Sequence, residues 1–562
     1  MADVSTLSRR PRMKFWGWGT AEDTLGAEEK RLVEGTLAAL APGGLQETPP
    51  PREDEVDLPA PRLSAPRALS QIVSTTAYDR LVHTYGKSYA DIARMLLRRA
   101  GVAPDLVAFP RCEQDVADLL DFADSANAAV IPFGAGSSVC GGVEPDVGGA
   151  YAGTISMDLQ YLSSIAEIDP TSRTARVQAG ILGPELEAGL RPHGLTLRHF
   201  PQSFEHSTLG GWIATRSGGH YASLYTHIDD FVESTRSITP RGVMETRRLP
   251  GSGAGPSPDR AMIGSEGILG VITEAWMRLQ HRPRWRASAS VTFDDLHSGA
   301  EAVRALSQSG LFPTNCRLLD PEEVRMNRVG DGRSTTVVLG FESADHPLDA
   351  WMQRALELVA DHGGRYDAEA VKRSLAGEEE QRKGAAGAWR NAFIRMPYWR
   401  DRMIGAGVIM DTFETAITWD RFPDFYRSIK DEMAAAIRRI TGRDVALSCR
   451  FTHVYPDGPA PYFSYTVLGS DSGDLDSALA QWRQIKAASN AVVVAHGGTV
   501  THHHAVGRDH RSGYERQMPP LYLEGLRAMK HSLDPKGVLN PGVLVDPVDR
   551  SVGFTGIMRD VK

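Results

Sequence analysis

The chain has 562 residues, of which 41% are hydrophobic and 23% charged, and a formal net charge of −8. That length exceeds one ordinary hydrophobic core, so two or more domains are expected, and the negative balance argues against nucleic acid as a primary partner while leaving room for a local basic pocket. The four cysteines, Cys112, Cys140, Cys316 and Cys449, form no CxxC pair, which disfavours a disulfide framework or a structural zinc and fits a reducing cytoplasm.

In chain order, residues 1–70 read as irregular. No apolar run follows Arg9, Arg10 and Arg12, so no signal peptide is expected, and no stretch approaches the roughly 20 apolar residues of a membrane span. The segment Glu47 to Pro66 is rich in proline and charge and reads as an extended linker wrapping the surface. Ser88 is placed to cap a helix with Ile92, Met95, Leu96 and Arg99 at helical spacing. From about 105 to 281 short strands alternate with helices. Val116, Leu119, Leu120 and Ala123 form a helical stripe ahead of a strand at Ala129 to Ile131, SIAEID and TARVQAG read as a hairpin across Pro170 to Arg173, and Gly183-Pro184 opens a helix. This is α+β organisation, not a run of repeated βαβ units. A new strand system starts at RPRWRASASVTF, and helices follow around 347–362, 423–440 and 473–490. The expected divisions are 1–104, 105–281, 282–500 and 501–562.

Three glycine-bearing segments stand out: PFGAGSSVCGG (Pro132 to Gly142), FEHSTLGGWIATRSGG (Phe204 to Gly219) and GSEGILGVIT (Gly264 to Thr273). Such loops put few side chains in the way, so backbone N–H groups can surround a pyrophosphate. Any one of them could simply serve a turn; three within a short span suggest one extended ligand. The G-x-G-x-x-G pattern fits poorly, because Gly134 and Gly136 are followed by Ser137 and Ser138 with the third glycine out of place.

His502, His503 and His504 are adjacent. Neighbouring side chains do not readily converge on one ion, so no metal is expected; a titratable active-site wall is the favoured reading over a polar loop. Tyr462, with Tyr465 close by, reads on residue pattern alone as a core aromatic of a strand. Arg400 and Arg317 would ordinarily be salt-bridge residues, although a guanidinium fork suits a phosphate.

The order of PFGAGSSVCGG, PQSFEHSTLGGWIATRSGGHYA, ITPRG, IGSEGILGVIT and DPKGVLNPG resembles the flavoproteins of the vanillyl-alcohol oxidase type. MKFWGWG, FETAITWDRF, CRFTHVY and THHHAVG resemble, more narrowly, the alkyl-dihydroxyacetonephosphate synthases among them. The resemblance implies a two-subdomain FAD-binding domain at 105–281, an α+β cap domain with an antiparallel sheet at 282–500, and a C-terminal segment, 501–562, that brings an active-site loop back onto the FAD domain. It implies non-covalent FAD held by Pro132, Phe133, Gly134, Ala135, Gly136, Ser137 and Ser138, by Gln202, Ser203, Phe204, Glu205, His206, Ser207 and Thr208, by Ala214, Thr215, Arg216 and Ser217, and by Glu266, Gly267, Ile268, Leu269, Gly270, Val271 and Ile272. Tyr462, His502, His503 and His504 fall on catalytic positions, and Arg400 and Arg317 on substrate-binding ones, Arg400 at the phosphate.

The activity implied is exchange of the acyl group of acyl-dihydroxyacetone phosphate for a long-chain fatty alcohol, without net redox change. A cytoplasmic location is implied too, with room for peripheral membrane contact and for a homodimer. The competing readings are an FAD-linked 2-hydroxy-acid dehydrogenase, which shares the flavin loops, and a non-catalytic flavin- or lipid-binding protein. Two departures stand out. His206 replaces an aromatic residue and brings a titratable group towards the flavin. The connection Pro321 to Ser334 is shorter than the segment that the eukaryotic synthases carry for the hydrophobic substrate.

Overall fold

The stripe Val116, Leu119, Leu120 and Ala123 is buried on one face of the helix Glu113–Ala126 in the computed structural model, which describes residues 10–327, 332–377 and 385–545. This helix follows the strand Leu106–Ala108 and leads into Ala128–Phe133. Both strands pair in parallel with Gly153–Asp158, and Val73–Ser74 closes a four-stranded sheet. Parallel pairing requires a crossover, which the helix supplies. Strand 128–133 is almost wholly buried, as suits a parallel strand covered on both faces. The C-terminal chain returns beside it: Val130 N donates to Val538 O at 2.7 Å and Asn540 N to Val130 O at 2.8 Å.

A second, antiparallel sheet of five strands has the order Ile165–Asp169, Thr174–Gln178, Val271–Arg278, Val232–Thr239, Gly242–Glu245. Its edge is the hairpin expected from the sequence, with Arg173 at φ 51 in the turn. One apolar core joins these two sheets. A second core belongs to an antiparallel sheet of seven strands, ordered Arg365–Tyr366, Trp285–Phe293, Thr335–Ser343, Asn315–Leu319, Ser448–Val454, Pro459–Leu468, Val408–Glu414. The helices Leu296–Gln308, Asp349–Asp361, Phe422–Thr441 and Leu475–Ala495 bury Val303, Met352, Ile429 and Trp482 against it.

The N-terminal region ties both cores together. Ser88 caps the helix Tyr89–Leu96 by accepting from Asp91 N at 3.1 Å. The helix stops short of Arg99, because Arg98 turns to φ 61; Arg99 pairs instead with Asp476. Tyr89 stacks on Trp482 with ring centroids 5.6 Å apart. The proline-rich segment runs extended apart from a turn at Glu53–Glu55, and is anchored by Thr48 N to Gly405 O at 2.7 Å and by Arg62 to Asp105 at 2.8 Å. The short connection after Asp320 begins with the helix Pro321–Met326, and its residues 328–331 lie outside those described. Among the described residues, no helix is long and apolar enough to cross a membrane, and all four cysteines are free.

Candidate active site

A cleft opens where the two cores meet. Its walls are the loop Gly134 to Val139, parts of segment 200–220, the seven-stranded sheet at Arg317, Arg450, Thr452, His453 and Tyr462, the helix Ala385–Gly405 at Pro397 and Arg400, and the turn at His503 and His504. Counted out to its mouth it encloses about 1310 Å³. That space includes the open mouth, and it runs unbroken from the glycine loop to Arg400, Tyr462 and His503.

The first glycine segment begins where strand Ala128–Phe133 ends. A Cβ at Gly134 would stand 2.3 Å from Thr208 Oγ1, so only glycine lets the loop lie this close to the second segment. Thr208 Oγ1 also accepts from Gly211 N at 3.3 Å and opens the helix Leu209–Thr215. Among the described residues, the N–H groups of Ala135, Gly136, Ser137 and Ser138 donate to no protein acceptor. Four orphan donors on a cleft wall form an anion cradle, so the residues present fit the pyrophosphate of a dinucleotide. Gln202, Ser203, Ser207, Thr208, Thr215 and Ser217 continue the same wall.

The histidine run is organised from below by a residue of the motif FETAITWDRF for which the sequence predicts no role. Glu414 ends the strand Val408–Glu414, is 2% exposed, and lies opposite Tyr462 in the sheet register. Its carboxylate accepts from His502 N at 2.6 Å, His503 N at 3.1 Å, His504 N at 3.0 Å and Thr501 Oγ1 at 2.6 Å. His503 Nδ1 lies 3.3 Å from Glu414 Oε2. Burial alone would raise this carboxyl; attraction to His503 and His504 and the hydrogen bond from His503 outweigh it and hold Glu414 well below the usual carboxylate range. Burial also pushes His504 down to about 3 and His502 well below the ordinary imidazole value. Both are therefore neutral near pH 7, and the ionised carboxylate leans on His503 and on the backbone N–H groups. His453 stands within 4.8 Å of His502 and His503, a closer gathering than adjacency alone predicts. His502 and His503 turn their Nδ1 atoms to each other at 3.1 Å, and His453 Nε2 meets Gly219 O at 2.9 Å, so the group is a hydrogen-bonded stack.

Tyr462 faces this turn from the strand Pro459–Leu468. Its ring lies 6.0 Å from that of His503, nearly parallel, and its hydroxyl donates to Thr412 Oγ1 at 3.0 Å. Arg450 covers the ring at 3.9 Å and is itself neutralised by Glu323 at 2.6 Å. Burial raises the phenol further than Arg450 and Thr412 lower it, so Tyr462 stays protonated. Tyr465 lies three residues on, fully buried in the cap core.

Arg317 and Arg400 both reach the cleft. Arg317 is buried, approaches His220 Nδ1 at 3.4 Å, and is pushed down to about 9 by burial and then by Arg450. Arg400 forms no salt bridge among the described residues, and its Nε is buried without a hydrogen-bond partner. It also lines an adjoining chamber that shares Tyr462 with the cleft and is walled by Met326, Met396, Met410 and Trp399 together with the charged Glu323, Asp411, Arg450 and Lys486.

Several residues named from the sequence stand off this cleft. Pro132 and Phe133 lie behind the loop, Phe133 against His83 with ring centroids 4.2 Å apart. Phe204 stacks on Trp212, Glu205 is exposed, and Ala214 packs on the core. Arg216 turns back at φ 52 to pair with Asp229 at 3.1 Å. His206 does not face the cleft as expected: Trp18 meets its ring edge-on at 5.8 Å and Tyr398 Oη lies 3.3 Å from its Nε2, so the N-terminal segment and the helix Ala385–Gly405 hold it away. Of the third segment, Ile268, Leu269, Val271 and Ile272 are core residues, while Gly267 rests on Pro132 and Gly270 on Thr239. Glu266, raised to about 7 by burial, accepts from Val506 N and Gly507 N at 2.8 Å each and so ties down the chain after the histidines. His502 supports His503 from behind, off the cleft wall.

Comparisons with known proteins agree with this arrangement. A family model for an FAD binding domain matches residues 104–247, and one for the C-terminal domain of FAD linked oxidases matches 282–544. An alkyldihydroxyacetonephosphate synthase of Dictyostelium discoideum is 28% identical over 99% of this chain and 91% of its own. One of Trypanosoma brucei brucei is 29% identical over 84% of this chain and 78% of its own. A glycolate oxidase subunit of Bacillus subtilis is 24% identical over 78% and 88%. Among solved structures, an alkyldihydroxyacetonephosphate synthase superposes with a TM-score of 0.75 at 24% identity, covering 94% of this chain and 97% of that one. p-Cresol methylhydroxylase does so at 0.64 and 14%, covering 93% and 98%.

Proposed function

We propose that this chain, an FAD protein of the vanillyl-alcohol oxidase type that groups with the alkyldihydroxyacetonephosphate synthases, exchanges the acyl group of 1-acyl-dihydroxyacetone phosphate for a long-chain fatty alcohol. One observation carries the reading. A single cleft joins a dinucleotide cradle to an unpaired arginine and to a carboxylate-held histidine run facing a protonated tyrosine. Binding alone requires no such proton-transfer set.

Ala135 to Ser138 would hold the pyrophosphate. When bound, FAD supplies an electron sink for the substrate carbon that loses a proton. His503, backed by Glu414, is the base for that proton. Tyr462 holds its proton and, turning its O–H from Thr412 Oγ1, donates to a substrate oxygen. The apolar wall of the adjoining chamber, Met326, Met396, Met410 and Trp399, is where an alkyl chain would lie. The test is product formation: holoenzyme with acyl-dihydroxyacetone phosphate and hexadecanol releases fatty acid and forms the ether. Flavin bleaching by a 2-hydroxy acid under anaerobic conditions, with no ether formed, would overturn the reading in favour of a dehydrogenase.

FAD is bound without a covalent link, so acid precipitation leaves it in the supernatant. Cys140, the thiol of the first glycine segment, is buried, its Sγ lies 3.1 Å from His504 O, and burial raises it well above the ordinary thiol value. Colour retained in the pellet would contradict this.

Arg400 anchors the substrate phosphate. Arg400→Lys keeps the charge and loses the two-pronged donor geometry, so KM for the phosphate substrate rises about tenfold or more while FAD content is unchanged. Loss of flavin with normal KM in the remaining holoenzyme would assign Arg400 to the cofactor instead.

A further inference from the structure

The cleft is connected to the protein surface by an unbroken file of hydrogen-bonding side chains. His503 lines the cleft. Its Nδ1 lies 3.1 Å from His502 Nδ1. His502 Nε2 lies 2.7 Å from Tyr455 Oη, which lies 2.9 Å from His227 Nε2. His227 Nδ1 meets Arg216 O at 3.3 Å. Tyr455 and His227 are half-exposed at the far end, beside the exposed Asp230. His227 Nε2 also stands 3.3 Å from His502 Nε2, a shortcut past the phenol. Neither Tyr455 nor His227 touches the cleft.

We infer that His503, His502, Tyr455 and His227 form a proton wire that carries the proton taken from the substrate carbon out to solvent at His227, outside the cleft lining. The inference rests on the reading of His503 as the base.

A wire needs each member to present a donor on one side and an acceptor on the other, and these members do. In the outgoing orientation His503 Nδ1–H donates to His502 Nδ1, His502 Nε2–H to Tyr455 Oη, and Tyr455 O–H to His227 Nε2. A proton arriving at His503 Nε2 releases the one on its Nδ1, each link hands on one proton, and one leaves from His227 Nδ1. No electrons move, and the file resets by reorientation. The ionised Glu414, 3.3 Å from His503 Nδ1, favours a proton on that nitrogen, and this one N–H is shared between the carboxylate and the nearer His502 Nδ1 at 3.1 Å. Burial keeps His502 and His227 below the ordinary imidazole value and raises Tyr455. The links are therefore neutral and none is a proton trap. The charged groups around the exit, Asp229, Asp230 and Arg216, with His453 packed alongside, do not interrupt the file.

The test uses holoenzyme carrying Tyr455→Phe, His227→Gln, or both. Tyr455→Phe alone leaves the shortcut, so the double variant shows the full effect. Its kcat falls about 10- to 100-fold, short of the roughly 10²–10⁴-fold of a group that touches substrate, while KM, FAD content and melting temperature stay at wild-type values. Imidazole added to His227→Ala restores kcat, which a packing defect would not allow. Independently of turnover, Tyr455→Phe shifts the imidazole ¹⁵N resonances of His502. Wild-type kcat in the double variant, a rise in KM in place of the fall in kcat, or no response to imidazole would overturn the wire. If wild-type protein forms no ether product, the reaction assigned above fails, while the ¹⁵N shift still reports on the hydrogen-bonded file itself.

Discussion

Tyr462→Phe and His503→Ala each lose most turnover, about 10²–10⁴-fold, and both keep their FAD. The first change removes one oxygen. The ring remains covered by Arg450 at 3.9 Å and stacked beside His503, so the cleft wall keeps its shape; what is lost is the O–H, with its 3.0 Å hydrogen bond to Thr412 Oγ1. The second change removes the imidazole but leaves His503 N available to Glu414, so the turn stays in place. With the roles proposed for them, both groups act on the reacting atoms and not on the pyrophosphate cradle, so kcat and kcat/KM fall together with flavin content constant. Fatty acid release and flavin absorbance, measured on the same preparations, check this. A double variant no worse than either single one indicates that the two act as a unit. Normal rates from both single variants would reduce the histidine run to a polar turn.

The local parts of this site are legible in the amino-acid sequence. A glycine loop after a buried strand, three adjacent histidines and the cap at Ser88 each depend on a few consecutive residues. The long helices are equally plain, because their apolar faces repeat at helical spacing, as at Val116, Leu119, Leu120 and Ala123. The parts that are not legible depend on register between distant segments. Glu414 precedes His502 by 88 residues and meets it only because strand 408–414 pairs with 459–468 so that Glu414 falls opposite Tyr462. His227 and His502 are 275 positions apart. His453 and Arg450 sit in the distinctive motif CRFTHVY, but no local rule distinguishes the residues of a buried strand that face a cleft from those that face a core. His206 departs in the opposite sense: its neighbours in sequence are flavin-loop residues, and its neighbours in space, Trp18 and Tyr398, come from the N-terminal strap and the helix Ala385–Gly405.

Glu414→Ala has a larger structural effect than any change to the histidines themselves. Four donors converge on this one buried carboxylate, the N–H groups of His502, His503 and His504 and the hydroxyl of Thr501. Hydrogen bonds to a charged acceptor contribute about 1.5–3 kcal/mol each, and removing one buried charged partner typically costs about 3–5 kcal/mol. The turn 501–504 therefore loosens. Its backbone amides lose protection from hydrogen exchange, and turnover falls at least as far as in His503→Ala. Glu414→Gln separates charge from shape. It still fills the space and its carbonyl oxygen still accepts, but its amide group meets N–H donors as a further donor, and the negative charge facing His503 Nδ1 is gone. Intermediate amide protection with turnover near that of His503→Ala is expected. The pH dependence has a definite sign. The folded value lies below the unfolded one, so the unfolded chain takes up the proton first; the contribution of Glu414 is complete above about pH 4.5, the reference value, and drains away only as the pH falls towards the lower folded value. Protection of the His502 to His504 amides is therefore flat from about pH 5 upward in the wild type and absent throughout in Glu414→Ala. Wild-type protection in the alanine variant would show that the turn is held by the tether at Glu266 alone.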